Sequence, residues 1–265
     1  EFREAVFGVE KEINLTKKAR ELGILTAYPL FTDENEYVML KTGEVDLLEH
    51  LYKTTDKQVL LRLLAPLVTL QGNLQSSENF QKGFLQTPFP ELTTSLEQTL
   101  LEDAHQSIYK DMFYRNIILT PLNTLQLIDF ERTKNGPTCL DLAMTYLSSN
   151  IFTEKEEKEI IDTYVYLYNQ AHNKNNKIKS KEKFLMEYYL GVGRTLQNVN
   201  NTQRVLQNTT NEEKRKQQEW FHQTNLEASI RAIKIINENL KDYQKAFPNL
   251  KYTQEIQESL QNIYI

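Results

Sequence analysis

The chain has 265 residues, 40% of them hydrophobic and 25% charged, with a formal net charge of -5. This is ordinary globular composition, enough for one large domain or two lobes, and it lacks the basic excess of a nucleic-acid binder. A single cysteine, Cys139, excludes an intrachain disulfide framework and a multi-cysteine metal site, and fits a reducing cytoplasm.

Residues 2–22 read as a helix, with Phe7, Ile13, Ala19 and Leu22 near one face and Gly23 as the stop. The start, "EFREAVFGVEKE", has acids where a signal peptide needs bases, and no membrane-length apolar run follows anywhere. The amphipathic pattern already runs at the first residues, so we expect part of the fold to lie upstream. "ILTAYPLFTDENEYVML" reads as two short strands around a polar turn, and "KTGE" as a connector. Residues 57–71 carry a leucine stripe, with Pro66 predicting a kink or break. "QTPFPEL" is a loop. "TTSLEQTLLEDAHQSIY" reads as a helix, capped by Ser95 and Gln98, with Leu96, Leu100, Ala104 and Ile108 on one face.

Next come "NIILT" and "LQLIDF", two strands joined by "PLNT". Beyond them the chain reads as helical: from Thr153 and Glu156, which form a capping box, through Ala171; over Phe184–Val199; over Trp220–Leu240; and over 252–263. "KNNKIKSK" is a solvated linker. The segregation of strands from helices predicts an α+β fold.

A hairpin brings its outer ends together, so Asn116 and Asp129 become neighbours, with Asp111 a short loop away. Three oxygen-bearing side chains then converge. Such donors suit Mg²⁺, which takes few protein ligands and completes its shell with water and phosphate. A carboxylate not used by the metal can take a proton from a hydroxyl, and the combination describes phosphoryl transfer.

"YKDMFYRNIIL" followed by "LIDFE" resembles the catalytic core of the aminoglycoside phosphotransferase and choline kinase group, part of the protein-kinase-like fold. "GPTCLDLAMTYL" is similar to that group's G-P-x-x-x-D-L-A segment. The three pieces fall within residues 108–147 in the family's order. The resemblance implies a partial N-terminal lobe over 1–42 and a large, mostly helical lobe over 43–265. It implies that Asp111 orients or deprotonates an acceptor hydroxyl, that Asn116 binds the metal and that Asp129 bridges metal and ATP phosphates. Asp141 matches the aspartate that supports the catalytic loop; a plain helix N-cap is the other reading. Upstream, "FREAVFGVEKEINLTKKARELGI" is similar to the helix whose glutamate pairs with the ATP-binding lysine. Glu12 is the first choice there and Glu10 the second. "EYVML" is similar to the strand entering the hinge, with Met39, Leu40 and Lys41 near adenine.

The chain departs from the family in several places. Tyr109 stands at the first position of the H-x-D, and Phe113 where many relatives carry histidine. No Gly-rich phosphate loop or strand lysine precedes the Glu12 helix, and we expect them upstream. His50, His105, His172 and His222 show no metal-ligand spacing. The resemblance implies a cytoplasmic ATP- and Mg²⁺-dependent kinase acting on a small-molecule hydroxyl: an amino sugar, a sugar or a choline-like alcohol. Nucleic acid and membrane are not implied as partners, and the oligomeric state is open. The alternatives are a catalytically inactive pseudokinase serving as an interaction module and a kinase acting on protein.

Overall fold

Helix α1 (Phe2–Glu21) buries Glu12, Leu15, Thr16 and Ala19 along one face, and the chain leaves it at Gly23, whose φ of +81° suits a residue without a Cβ. In this computed structural model the described residues are 2–27, 29–32, 37–39, 43, 45–71, 73–74, 96, 99–100, 106–109, 112–130, 132–172, 177–248 and 250. The two strands expected around the polar turn are β1 (Pro29–Thr32) and β2 (Tyr37–Met39), paired antiparallel.

Strand β3 (Val45–Asp46) runs directly into α2 (Leu47–Thr54), where the Asp46 carboxylate accepts the Glu49 amide at 2.8 Å. The leucine stripe after it is split, as Pro66 requires, into α3 (Lys57–Leu61) and α4 (Leu64–Leu70). A proline at 66 has no N–H for the Arg62 carbonyl and crowds it, so the break falls one turn ahead of the ring.

The expected helix over 93–109 is corrected at its end. Leu96, Thr99 and Leu100 are helical, but Gln106–Ile108 is a strand, β4. It pairs with β7 (Lys134–Gly136), Ile108 opposite Lys134 and Gln106 opposite Gly136. The 3.6-residue spacing of Leu96, Leu100, Ala104 and Ile108 was compatible with one long helix, but pairing with a distant strand overrides it. The proposed Ser95–Gln98 cap lies outside the described residues.

The central hairpin is β5 (Ile117–Leu119) and β6 (Leu125–Leu127), with β3 on its other side in the order β3-β5-β6. Its turn uses Asn123 at φ +57°, and Arg62 grips that residue through Nη1 to the Asn123 carbonyl at 2.6 Å. Leu25 accepts the Leu127 amide at 2.9 Å, so the chain leaving α1 runs beside β6.

The remainder is helical. Short α5 (Cys139–Leu142) widens into a π-turn over Ala143–Leu147, and α6 (Glu154–Ala171) opens on the Thr153–Glu156 capping box. The single helix expected over 184–199 is two: α7 (Lys181–Leu190) and α8 (Val192–Asn208), parted at Gly191. A Cβ at Gly191 would lie 2.5 Å from the Ala143 Cβ, so the glycine lets this corner sit against the π-turn. Helix α9 (Glu212–Glu238) starts earlier than expected, and α10 (Leu240–Ala246) follows; the helix expected over 252–263 lies outside the described residues.

Helices α8 and α9 are joined by a buried antiparallel polar ladder. Thr195 meets Ser229 at 2.6 Å, Asn198 meets Asn225 at 3.1 Å, and Thr202 meets His222 at 3.0 Å. These matched pairs favour one register of the two helices, since a slip would break all three interhelical bonds. At the centre of the bundle Glu157, fully buried on α6, accepts from Arg231 of α9 at 2.5 and 2.8 Å and from the hydroxyls of Tyr188 and Tyr189 on α7 at 2.8 and 3.1 Å. Among the described residues no helix is long and apolar enough to cross a membrane.

Candidate active site

The hairpin pairs Ile117 with Leu127, Ile118 with Gln126 and Leu119 with Leu125. Its ladder continues one residue past the strands, where the Ile128 amide donates to the Asn116 carbonyl at 3.0 Å. Asn116 ends a 3₁₀ turn (Tyr114–Asn116), closed by its own amide on the Phe113 carbonyl at 2.8 Å. Asp129 comes immediately after Ile128. The base of the hairpin thus brings Asn116 and Asp129 together, as the sequence spacing predicted. Both side chains are half-buried. Asp111 lies outside the described residues.

Asp129 has φ +66°, a left-handed conformation uncommon for residues other than glycine. Its neighbours hold it there. Phe130 is fully buried, its ring edge-on to Tyr109 with centroids 5.0 Å apart. The Tyr109 hydroxyl donates to the Ile128 carbonyl. A non-glycine residue keeps such a conformation only where its surroundings over-determine it, a pattern concentrated at functional sites.

Asp141 lies in the first turn of α5, with Thr138 as the N-cap, so the N-cap reading of Asp141 is corrected. Its buried carboxylate faces the loop. Oδ2 accepts the Tyr109 amide at 2.8 Å and the Gln71 side-chain amide at 3.0 Å. Gln71 also donates to the Thr138 carbonyl at 3.2 Å and accepts from the Tyr164 hydroxyl. Burial pushes the Tyr164 phenol well above its ordinary pKa, which keeps it a proton donor in this network. Sequence reasoning missed Gln71, Tyr164 and the double role of Tyr109. Gln71 alone left a trace, as a polar residue closing a leucine stripe; the structure buries it fully.

The loop is braced from the other side by α9. Phe221 packs edge-on against Phe113 and Tyr114, with centroids 5.3 and 5.9 Å apart, and the Tyr114 hydroxyl reaches the Thr145 carbonyl at 2.5 Å. Burial raises the Tyr114 phenol as well.

Of the upstream residues, Glu12 is buried on α1 and accepts from the Thr16 hydroxyl at 3.2 Å, whereas Glu10 is exposed. Met39 ends β2; Leu40 and Lys41 lie outside the described residues. Gly43, after β2, is buried against β5. A Cβ there would stand 2.5 Å from Ile118 Cγ2 and 2.6 Å from the Leu119 carbonyl oxygen.

Among the described residues no three His, Cys, Asp or Glu side chains gather into a metal-binding cluster. One carboxylate and one amide at the hairpin base form a sparse, all-oxygen donor set. That would suit Mg²⁺, a hard cation that keeps waters and takes phosphate oxygens, better than zinc, which prefers nitrogen and sulfur.

A mostly helical chain wrapped around a small antiparallel hairpin, with the hairpin base aimed into a braced loop, has the kinase-like α+β architecture expected from the sequence. Comparison with solved structures agrees. The chain is similar to the choline kinase LicA from Streptococcus pneumoniae, with a TM-score of 0.52, 18% identity and coverage of 84% of this chain and 83% of that one. It is similar to LicA in complex with AMP, with a TM-score of 0.51, 19% identity and coverage of 85% and 77%. A microcompartment-associated aminopropanol kinase matches with a TM-score of 0.50 and 12% identity, over 93% of this chain and 84% of that one. The chain shares the fold of these choline-kinase-type structures, the group its motifs resemble. No family model matches it, and no curated protein matches it in sequence.

Proposed function

We propose that the protein is a phosphotransferase that moves the γ-phosphate of ATP to the hydroxyl of a small molecule. The observation that carries this reading is the hydrogen bond from the Ile128 amide to the Asn116 carbonyl, which keeps the backbone of residue 116 alongside the approach to the left-handed Asp129. In the proposed site Asn116 and Asp129 hold Mg²⁺ against the phosphates, and Asp111 orients the acceptor hydroxyl and takes its proton. Bound there, Mg²⁺ neutralises charge on the phosphate oxygens. The protein's own contribution is positioning, because phosphoryl transfer leaves it little covalent chemistry. Glu12 is assigned to pair the nucleotide-binding lysine, and Met39, Leu40 and Lys41 to the adenine side. Residues 1–42 then act as the partial N-terminal lobe and 43–265 as the lobe holding acceptor and catalytic loop. A cytoplasmic location suits an enzyme that draws on ATP.

Choline and aminopropanol name the substrates of two structural neighbours, which makes amino alcohols the first acceptors to try here, followed by amino sugars and sugars. ADP release across that panel, with Mg²⁺ and ATP, tests the proposal. We expect turnover with at least one acceptor, reduced about 10³-fold or more in Asp129→Ala and in Asp111→Asn. An Asp129→Ala enzyme with undiminished turnover contradicts the assignment. Binding of nucleotide without turnover of any acceptor supports the pseudokinase alternative instead.

A further inference from the structure

Away from the hairpin, α6, α7, α9 and α10 enclose a cavity of about 500 Å³. That volume suits a small organic ligand. Its lining residues all lie between 154 and 243, and none belongs to the hairpin or to residues 109–116. On α9 the lining residue Ile235 comes 14 positions after Phe221, the residue that touches Phe113 and Tyr114. That is about 21 Å of helix. The cavity is separate from the proposed active site.

Ile161, Leu185, Met186 and Ile235 give the cavity apolar walls. Two tyrosines close it, Tyr189 from α7 and Tyr243 from α10, each almost wholly buried. The Tyr189 hydroxyl donates to Glu157. The Tyr243 hydroxyl makes no hydrogen bond among the described residues, although the residue is only 2% exposed. A polar group so deeply buried and unpaired takes its partner from the cavity it lines. Burial, and after it the negative charge of Glu154, raises that phenol, so it stays protonated. The charges at the rim are Glu154, Lys158 and Asp162 on α6 with Lys181 and Glu182 on α7. Lys181 pairs with Asp162 at 3.8 Å. Glu182 accepts from its own backbone amide and the Ser180 hydroxyl, and faces the charges of Lys181 and Lys158. The Glu154 carboxylate has neither an ion pair nor a hydrogen bond among the described residues, and its charge bears on both phenols.

We propose that this cavity is a binding site for an organic amine carried on an apolar chain. The ammonium donates to the Glu154 carboxylate and to the Tyr243 oxygen, and the chain lies along Ile161, Leu185, Met186 and Ile235. A carboxylate in place of the ammonium would face Glu154 and be rejected. A neutral hydroxyl keeps the Tyr243 contact and loses the charge-assisted one. The site does not depend on the phosphotransferase reading, because it shares no residue with the hairpin.

The methionines mark where a ligand binds. Met186 lines the cavity, whereas Met112 lies in the loop before the hairpin and Met144 in the π-turn. The whole protein, carrying methyl-labelled methionine, is titrated with n-octylamine and followed by NMR, with Met186→Leu identifying the Met186 signal. We expect the Met186 methyl to shift to saturation while Met112 and Met144 stay in place. n-Octanoate and n-octanol should bind about tenfold or more weakly than the amine. In Glu154→Gln, a change at an exposed position, the amine should lose about tenfold in affinity and its advantage over n-octanol should vanish. Tyr243→Phe should weaken the amine about threefold or more. If that variant does not fold, Glu154→Gln carries the test alone. No shift at Met186, or a shift at Met112 or Met144 without one at Met186, overturns the inference. So does an amine that binds no better than n-octanol, or one whose affinity ignores Glu154→Gln. Each of these results leaves the turnover test of the phosphotransferase reading as it stands.

Discussion

Two buried carboxylates tie the helical part of this protein together, and they do so in different ways. Glu157 sits among α6, α7 and α9 and is served by the Arg231 guanidinium and two tyrosine hydroxyls. Asp141 sits beside Tyr109, just ahead of the hairpin, where its donors include the Tyr109 amide and the Gln71 side chain. The first arrangement ties the three helices α6, α7 and α9 to one another. The second grips a loop residue by its main chain, and that residue grips the approach to Asp129. A buried charge paired with a charge is a packing element; a buried charge spent on a backbone amide fixes the course of a loop. Changes at the first should read out in stability, and changes at the second in function.

The largest loss of stability is expected at Glu157. Glu157→Gln leaves Arg231, its side chain mostly covered, without its counter-charge. We expect a cost of about 3–5 kcal/mol in denaturant unfolding. Catalysis per folded molecule should be nearly unchanged, and a large fall in it would erase the contrast between the two sites.

Asp141→Asn is expected to cost less stability, about 1–3 kcal/mol, because the amide oxygen still accepts one of the hydrogen bonds. Turnover should fall about 10²-fold as the loop loses its register. A variant that loses stability and keeps its rate would show that Asp141, like Glu157, only packs.

Gly43→Ala probes the hairpin from the side of β5. The added methyl meets the Leu119 carbonyl, which belongs to the β5 backbone and cannot swing away. We expect about 1–3 kcal/mol of destabilisation by the same unfolding measurement. A neutral result would mean that the chain at Gly43 is free to move off β5.

The smallest effect is a pH dependence. His172 lies against the Tyr168 ring, with its Nε2 3.2 Å from the Val68 carbonyl, and burial holds its pKa below the ordinary histidine range. A depressed histidine is neutral in the fold while the unfolded chain still takes up a proton. Its contribution is therefore present above the unfolded pKa and lost as pH falls from there through the folded value. The thermal midpoint should drop over that interval, and His172→Gln should flatten the drop. A drop of the same size in the variant would assign it to other groups.

The contrast between the two carboxylates also marks what the sequence could tell. The hairpin was legible because its signals are local: strand formers, turn residues, and a count that places Asn116 next to Asp129. The capping box of α6 and the break at Pro66 were legible for the same reason. The strand at 106–108 was not. Its residues continue a helical stripe, and only its partner at 134–136 decides otherwise. The split at Gly191 depends on how closely the π-turn at Ala143 approaches, which no local pattern shows. Glu157 and Arg231 lie 74 positions apart on helices that look like ordinary charged surfaces. In the sequence Tyr109 was only a departure at the first position of the H-x-D; its hold on Ile128 exists only once the hairpin has closed.

The central claim is that the hairpin base is a metal–nucleotide site. A crystal of the protein grown with Mn²⁺ and a non-hydrolysable ATP analogue tests it most directly, because the ion can be located by anomalous scattering. The account predicts a peak between the side chains of Asn116 and Asp129, with phosphate oxygens completing its shell. An ordered nucleotide whose Mn²⁺ is bound elsewhere, with Asn116 and Asp129 turned away from it, would contradict it.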